Sequence, residues 1–456
     1  MVIAGNGGQR DWSGSSQPRY AITSSVSIRQ PSARATRALI LRIARATHCG
    51  AIAFAAGVAL AQPVTLEALL DRAARHPEVA TAQTEVAAAL GGKVAADRAP
   101  LPVISTSIAS IDLQNGVGAG TLVGAKRIDT GVGLDWTWER GDKRMHRSRS
   151  ADFSVDASRL DRADVLIRRK IAIANAFWEL LAAQEREADS AQMLSSAEQM
   201  AAMARKRLDR GDISEQEFAR VAIETERARG EDASLRTARR LAAVALAHSA
   251  ALSGEPPVAA PGWPALPALN GDTPAIHRTQ SLQHRPDVRA ARARVDAAKS
   301  AVDLARSLQL ADVTWGGGFN HAPPDHRASV QLRAQFPWQV NYQFEGEIRQ
   351  AVAALERAEL ELQRTLMSAE TELSALHLRR LSSVQRVQAI EREIVPRSME
   401  VLNRAEAAYV RGAMPLTDLL DARRTFRAVR LDAVQNRAEA ARADTEWLLR
   451  THAPAP

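Results

Sequence analysis

The sequence contains little of what catalysis and covalent cross-linking require. It has one cysteine, and its aromatic residues are limited to 8 Trp, 8 Phe and 3 Tyr among 456 positions. A glycine-rich phosphate loop after a strand, a Gly-x-Ser-x-Gly elbow and a His-Glu-x-x-His helix are all missing. We therefore expect neither an enzyme nor a cofactor site.

The positive charge of the chain is concentrated near its N-terminus. The formal net charge is +8, but residues 1–61 hold seven arginines and a single acid, which leaves +2 for the remainder. A basic pI that arises from one terminal segment is a poor indication of a nucleic-acid surface. We expect no nucleic-acid partner.

That N-terminal segment has the pattern of a secretory signal. Arg34–Arg45 is basic, Cys49–Leu60 is a short apolar run, and Ala59-Leu60-Ala61 matches a small-x-small cleavage site. Residues 1–61 are therefore predicted to be a targeting segment, with Gln62 as the mature start. The alternative, lipid modification at Cys49, is disfavoured because most of the apolar run follows that residue.

Glycine and proline are absent from residues 142–210. A continuous helix of that length would measure roughly 100 Å at ~1.5 Å per residue. Glu347–Arg411 is similar and is interrupted only by Pro396, which predicts a kink or local unwinding. Apolar residues after 347 recur every three or four positions, so we expect this helix to pack against another long helix.

The chain repeats itself at an offset of about 200 residues. His76-Pro77-Glu78-Val79 recurs as Arg285-Pro286-Asp287-Val288, and Arg210-Gly211 recurs as Arg411-Gly412. A proline-rich stretch separates the copies. We predict a first unit at 62–252 (β-hairpin about 101–140, helical hairpin about 142–252), a linker at 253–275, and a second unit at 276–452 (β-hairpin about 311–338, helical hairpin about 344–451).

Three of four predicted strands alternate apolar and polar residues, Val103–Leu113 does so less clearly, and their length suits a membrane-spanning strand. Four strands cannot close a barrel, and open edges in lipid are costly, so membrane insertion would require several copies of the chain. The alternative is a small soluble sheet packed on helices, which is disfavoured because no helix face remains to cover its tryptophans. The predicted lipid-facing residues are Trp136, Trp138, Trp315, Leu332, Phe336 and Trp338.

The turn after each long helix has a recognisable local chemistry. Gly211 and Gly412 are predicted to be left-handed C-caps. Ser214 and Thr417 are candidate N-caps of the returning helices, and Glu217 would complete a capping box with Ser214.

Together these features resemble the outer-membrane efflux factor family, the TolC type, over residues 63–452. The most specific motif is the second turn, Tyr409-x-x-Gly412 followed by Asp418-Leu419-Leu420-x-Ala422, with a weaker copy after Gly211. The resemblance implies a mostly α fold with a small transmembrane β part. In that fold three chains form one twelve-stranded β-barrel that continues into an α-helical periplasmic tunnel.

The resemblance also implies roles for the turns. They would form the tunnel tips that contact a periplasmic adaptor protein, through Gly211, Ile213, Gly412, Ala413 and Met414. Asp418 and Asp421, with Glu217, would form an acidic ring at the tunnel mouth; the alternative is a solvated helix face paired with Arg423 or Arg424. Met414 stands where some members carry a basic residue, so a gate of ion pairs must differ here.

The implied function is a passive exit duct of a tripartite efflux or type I secretion-like system. It would lie in the outer membrane as a homotrimer, contact lipid and the adaptor, and serve an inner-membrane pump indirectly. The heavy-metal branch is one candidate, but His277, His284, His321 and His326 lack the spacing of a metal site, so no bound metal is expected. The alternative function is a periplasmic coiled-coil adaptor or scaffold without a barrel.

Overall fold

The computed structural model describes residues 63–109, 128–267, 281–322 and 326–451, and for His326 and Arg327 the backbone alone. The predicted signal segment and His277 lie outside these residues. Described helices and strands are α1 (Leu66–Arg72), α2 (Pro77–Ala96), β1 (Val103–Ala109), β2 (Asp129–Trp138), α3 (Lys143–Asp209), α4 (Glu215–Ser249), α5 (Pro286–Ser307), β3 (Val313–Ala322), β4 (His326–Gln335), α6 (Glu345–Ala389), α7 (Val395–Val410) and α8 (Leu416–Thr451).

The predicted duplication is confirmed element by element. The order helix, strand, strand, long helix, returning helix occurs as α2-β1-β2-α3-α4 and again as α5-β3-β4-α6/α7-α8. The repeated His-Pro and Arg-Pro pairs begin α2 and α5. In both, the residue before proline is extended and Pro77 or Pro286 occupies the first turn, where a missing N–H has no cost.

The two long helices differ at one point. α3 runs for 67 residues without a break, whereas the second copy changes to a π-helical turn at Ile390–Ile394 between α6 and α7. Pro396 lies in the first turn of α7. Proline has no N–H to donate to the preceding turn, so the regular α-helical hydrogen bonding is interrupted here. The predicted local unwinding is present as this wider π turn.

The strands form one antiparallel sheet in the order β1-β2-β3-β4. The two hairpins are joined through β2 and β3, where Trp136 is opposite Trp315 and Val132 is opposite Phe319. Exposure alternates along β2, and the exposed positions are the apolar ones. The sheet therefore presents an uncovered apolar face, as the pattern predicts for strands in contact with lipid.

The main apolar core lies where α1, α3, α4 and α8 meet. Ile173, Leu180 and Leu246 are fully buried there. Trp178 stacks on Trp263 from the segment that follows α4, with ring centroids 5.8 Å apart. Within the described ranges, no helix contains an apolar run long enough to cross a bilayer.

Candidate functional site

The turns after α3 and α7 have the same backbone geometry. Gly211 has φ +80° and Gly412 has φ +73°. Asp212 N donates to Arg207 O at 2.9 Å, and Ala413 N donates to Ala408 O at 2.9 Å. A Cβ at either glycine would meet nothing within 4 Å. The predicted left-handed caps are confirmed, and the requirement for glycine is one of backbone conformation rather than space.

The returning helices begin differently. Ser214 and Glu217 form the predicted capping box, with Ser214 N donating to Glu217 Oε2 at 3.0 Å and Glu217 N donating to Ser214 Oγ at 3.2 Å. The prediction for Thr417 is wrong, because α8 already begins at Leu416. Pro415 O accepts from Leu419 N at 3.5 Å, so proline holds the preceding position, and Thr417 Oγ1 donates to Asp418 Oδ1 at 3.2 Å instead.

One apolar cluster holds the two turns together. Met200, Val221, Leu416 and Leu419 are buried in it, and Ile213 and Met414 pack against it, each partly exposed. Gly211, Gly412 and Ala413 remain exposed at the surface. The five predicted tip residues therefore divide into three at the surface and two that support them.

The predicted acidic residues have different surroundings. Asp418 and Asp421 are exposed one turn apart on α8. Asp421 lies 3.3 Å from the Arg424 guanidinium, so the pairing with Arg424 that was left open for this helix face is present. Glu217 points its carboxylate back to Ser214, which satisfies part of its hydrogen-bonding capacity within the turn.

An ion pair between helices α4 and α8 was not predicted from the sequence. Arg424 donates to both carboxylate oxygens of Glu224. The Arg424 hydrogen bond is the largest cause that holds the pKa of Glu224 below its usual value. Two residues 200 positions apart carry no local signal of their proximity, and only the structure brings them together.

A cavity of about 450 Å³ lies beside this ion pair, between α3, α4, α7 and α8. Its wall combines the apolar side chains of Met200, Met399 and Phe426 with arginines of α8. Those arginines bind acids on other helices: Arg427 lies 2.9 Å from Glu231, and Arg430 lies 2.9 Å from Asp189. Ion pairs therefore join these helices in addition to the apolar cluster beneath the turns.

The six predicted lipid-facing residues are all exposed in the single chain. Their exposed fractions are between 52% and 89%: Trp136, Trp138, Trp315, Leu332, Phe336 and Trp338. Phe336 and Trp338 follow the end of β4 rather than lying within it. Described residues provide no helix that covers this face, and the tryptophans keep about half or more of their surface free.

The opposite face of the sheet is polar and rich in glycine. Arg333 of β4 donates to Asp135 of β2 across the intervening strand β3. Gly316 lies beneath this ion pair, and a Cβ there would be 2.3 Å from Asp135 Oδ1. Within the described part of the chain, no three His, Cys, Asp or Glu side chains group as metal ligands would.

Comparison with known proteins gives one family and several similar structures. The sequence profile described as outer membrane efflux protein matches residues 69–252 and 278–446. Among solved structures, CusC has a TM-score of 0.73 at 16% identity, over 86% of this chain and 92% of that chain. The outer membrane protein VceC from Vibrio cholerae has a TM-score of 0.68 at 18% identity, over 85% and 95%. The Campylobacter jejuni CmeC outer membrane channel has a TM-score of 0.70 at 15% identity, over 85% of each chain. No curated protein sequence matches.

Proposed function

The chain belongs to the outer membrane efflux protein family and so acts in the cell outer membrane, and on that premise we propose that it is the exit duct of a tripartite efflux or type I secretion-like system. It conducts its cargo passively, since energy is supplied by an inner-membrane pump. The observation that carries this proposal is the uncovered apolar face of the four-stranded sheet. Exposure of such a large apolar surface to water is unfavourable.

The edges of the sheet support assembly with other copies of the chain, and the family is trimeric. β1 and β4 are terminal strands of the described sheet, and each has one side without a strand partner. In lipid, unpaired backbone groups cost several kcal/mol each. Pairing β4 of one copy with β1 of the next removes both edges, and three copies give the twelve-stranded barrel. Lipid then covers the apolar face, and the polar face that carries Asp135 and Arg333 lines the lumen.

The tips are the proposed contact with a periplasmic adaptor protein. The exposed residues at the two turns are Gly211, Gly412 and Ala413. The buried apolar cluster packs beneath them and supports their backbone. Asp418 and Asp421 form the proposed acidic ring at the mouth. Three copies of this pair favour cations over anions, and small toxic compounds or metal cations are the proposed cargo.

The periplasmic scaffold without a barrel is less well supported. Such a protein would have to cover Trp136, Trp138 and Trp338 with other protein, and the described helices leave them exposed. Family membership also favours the duct.

Membrane fractionation followed by native mass measurement of the detergent-extracted protein tests the proposal. A trimer in the outer-membrane fraction supports it, and a soluble periplasmic monomer or dimer contradicts it.

Cysteine labelling tests the orientation of the sheet, because the predicted mature chain contains no cysteine. Leu332→Cys and Gln331→Cys are neighbours on opposite faces of β4. In intact membranes a water-soluble maleimide should label Gln331→Cys and spare Leu332→Cys. Equal labelling of the two variants would contradict the assignment of the apolar face to lipid.

A further inference from the structure

The four segments that join helices to strands meet at one end of the sheet. They are residues 97–102, 139–142, 308–312 and 336–344, and we call them the collar. The antiparallel register requires this meeting, since β1 and β3 begin where β2 and β4 end. Exposed apolar side chains are concentrated in the collar: Leu101, Leu310, Phe336, Trp338, Val340 and Tyr342.

Arg140 continues the apolar face of β2 into the collar. The alternation of exposed and half-buried residues along β2 extends beyond the strand, so that Trp136, Trp138 and Arg140 lie on the exposed side. At ~3.4 Å per residue, the Arg140 Cα lies about 7 Å beyond that of Trp138. A cation thus follows two exposed tryptophans on the surface proposed to face lipid.

Two acids close to Arg140, Asp312 and Glu139, are bound to other groups. Asp312 accepts from Lys143 Nζ at 2.6 Å and from the backbone N of Arg140 at 3.0 Å. Glu139 is paired with Arg147 at 2.9 Å. Among the residues that the structure describes, the Arg140 guanidinium has no carboxylate partner, although Asp142 lies two residues further along the chain.

The Lys143–Asp312 pair fixes the position of Arg140. Lys143 is 6% exposed and also donates to Leu310 O at 2.7 Å. These bonds hold the end of β2 against the segment that precedes β3. Arg140 is therefore attached to an ordered backbone while its charged group stays exposed.

We propose that Arg140, with Trp138 beside it, binds the phosphate of an anionic phospholipid headgroup at the periplasmic surface of the outer membrane. The inference rests on the proposed function, because it requires the apolar face to be in lipid. Tryptophan is suited to the interface between acyl chains and headgroups. A guanidinium one step further from the acyl chains lies where the phosphates are, and its planar fork matches two phosphate oxygens.

The test compares phosphatidylglycerol with phosphatidylcholine as ligands of the purified, delipidated full-length protein. Bound lipid is counted by native mass spectrometry for the wild type, Arg140→Gln and Arg357→Gln. Arg357 is a matched control, because it is exposed on α6 with no ion pair among the described residues. In Arg140→Gln the binding preference for phosphatidylglycerol over phosphatidylcholine should be about fivefold lower than in the wild type. This is the change that ~1 kcal/mol per interfacial cation produces.

Arg140→Lys keeps the charge but not the planar fork, so it should retain part of the preference, which separates a headgroup contact from a folding defect. An unchanged lipid preference in Arg140→Gln overturns the inference. Failure of the proposed function gives a different result, because the wild type would then not be recovered from the membrane fraction or would bind neither lipid.

Discussion

Arg424 of α8 donates from Nε and Nη2 to the two carboxylate oxygens of Glu224 on α4. The same guanidinium lies 3.3 Å from Asp421, one turn before it on α8. One arginine therefore links a proposed mouth acid to a neighbouring helix. The family resemblance puts Met414 where some members carry a basic residue, and we propose that Arg424 supplies the corresponding cation in this chain.

Glu224→Gln should loosen the mouth. The neutral amide replaces a charge-assisted bidentate contact with Arg424 by a weaker one. The lost interaction free energy is about 1 kcal/mol for a partly exposed pair. We expect a larger mean conductance in planar bilayers. Glu226→Gln is the control, because the partner of Glu226 among the described residues is Arg229 of its own helix. Equal conductance in the two variants would mean that this ion pair does not hold the mouth.

Acid should have the same effect on the wild type. Arg424 lowers the pKa of Glu224 from 4.5, so the carboxylate contributes stability above pH 4.5 that is lost as the pH falls through its folded pKa. Conductance should stay level from pH 7 to 5 and rise below 4.5. Glu224→Gln should lack this rise. A rise of the same size in that variant would assign the effect to other groups.

Gly412→Val should abolish export and leave the trimer in the membrane. Gly412 has φ +73°, a conformation that costs a residue with a Cβ roughly 1–2 kcal/mol and a β-branched residue more. Gly230→Val is the control, because Gly230 is inside α4 with open space around it. Gly412→Asn should retain part of the export, since asparagine tolerates this conformation. Normal export by Gly412→Val would contradict the proposed role of this turn in contact with the adaptor protein.

Local patterns in the sequence were sufficient to predict the caps and strands. A left-handed turn favours glycine, and a strand with one apolar and one polar face alternates the two residue types, so Gly211, Gly412 and the alternation of β2 were identified correctly. The prediction for Thr417 was wrong because the helix already begins at Leu416, and Pro415 occupies the position before it. The Glu224–Arg424 and Asp135–Arg333 pairs were missed because each joins residues about 200 positions apart, and no local pattern records such pairings.

Neutralising the mouth acids should lower the cation preference, and the two positions should differ. Asp421 is already partly compensated by Arg424, whereas among the described residues Asp418 has a hydroxyl hydrogen bond from Thr417 and no cationic partner. Asp418→Asn should therefore reduce the permeability ratio of K⁺ to Cl⁻ more than Asp421→Asn, and the double variant should reduce it most. Reversal potentials across a KCl gradient provide the measurement. An unchanged permeability ratio in the double variant would mean that both residues belong to an ordinary solvated helix face and do not set ion selectivity.

Gly316→Ala should damage the barrel wall, whereas Gly317→Ala should not. The two glycines are adjacent in β3 and lie on opposite faces of the sheet. A Cβ at Gly316 would lie 2.3 Å from Asp135 Oδ1 and 3.2 Å from the Arg333 guanidinium, while a Cβ at Gly317 would meet nothing within 4 Å. The Asp135–Arg333 pair must then move or separate, so Gly316→Ala should lower the temperature at which the detergent-extracted trimer dissociates. Removing the pair as well, in Gly316→Ala with Asp135→Asn and Arg333→Gln, relieves the conflict and should restore part of that loss. If the single Gly316→Ala variant dissociates at the same temperature as Gly317→Ala, the ion pair is not held across β3 in the assembled protein.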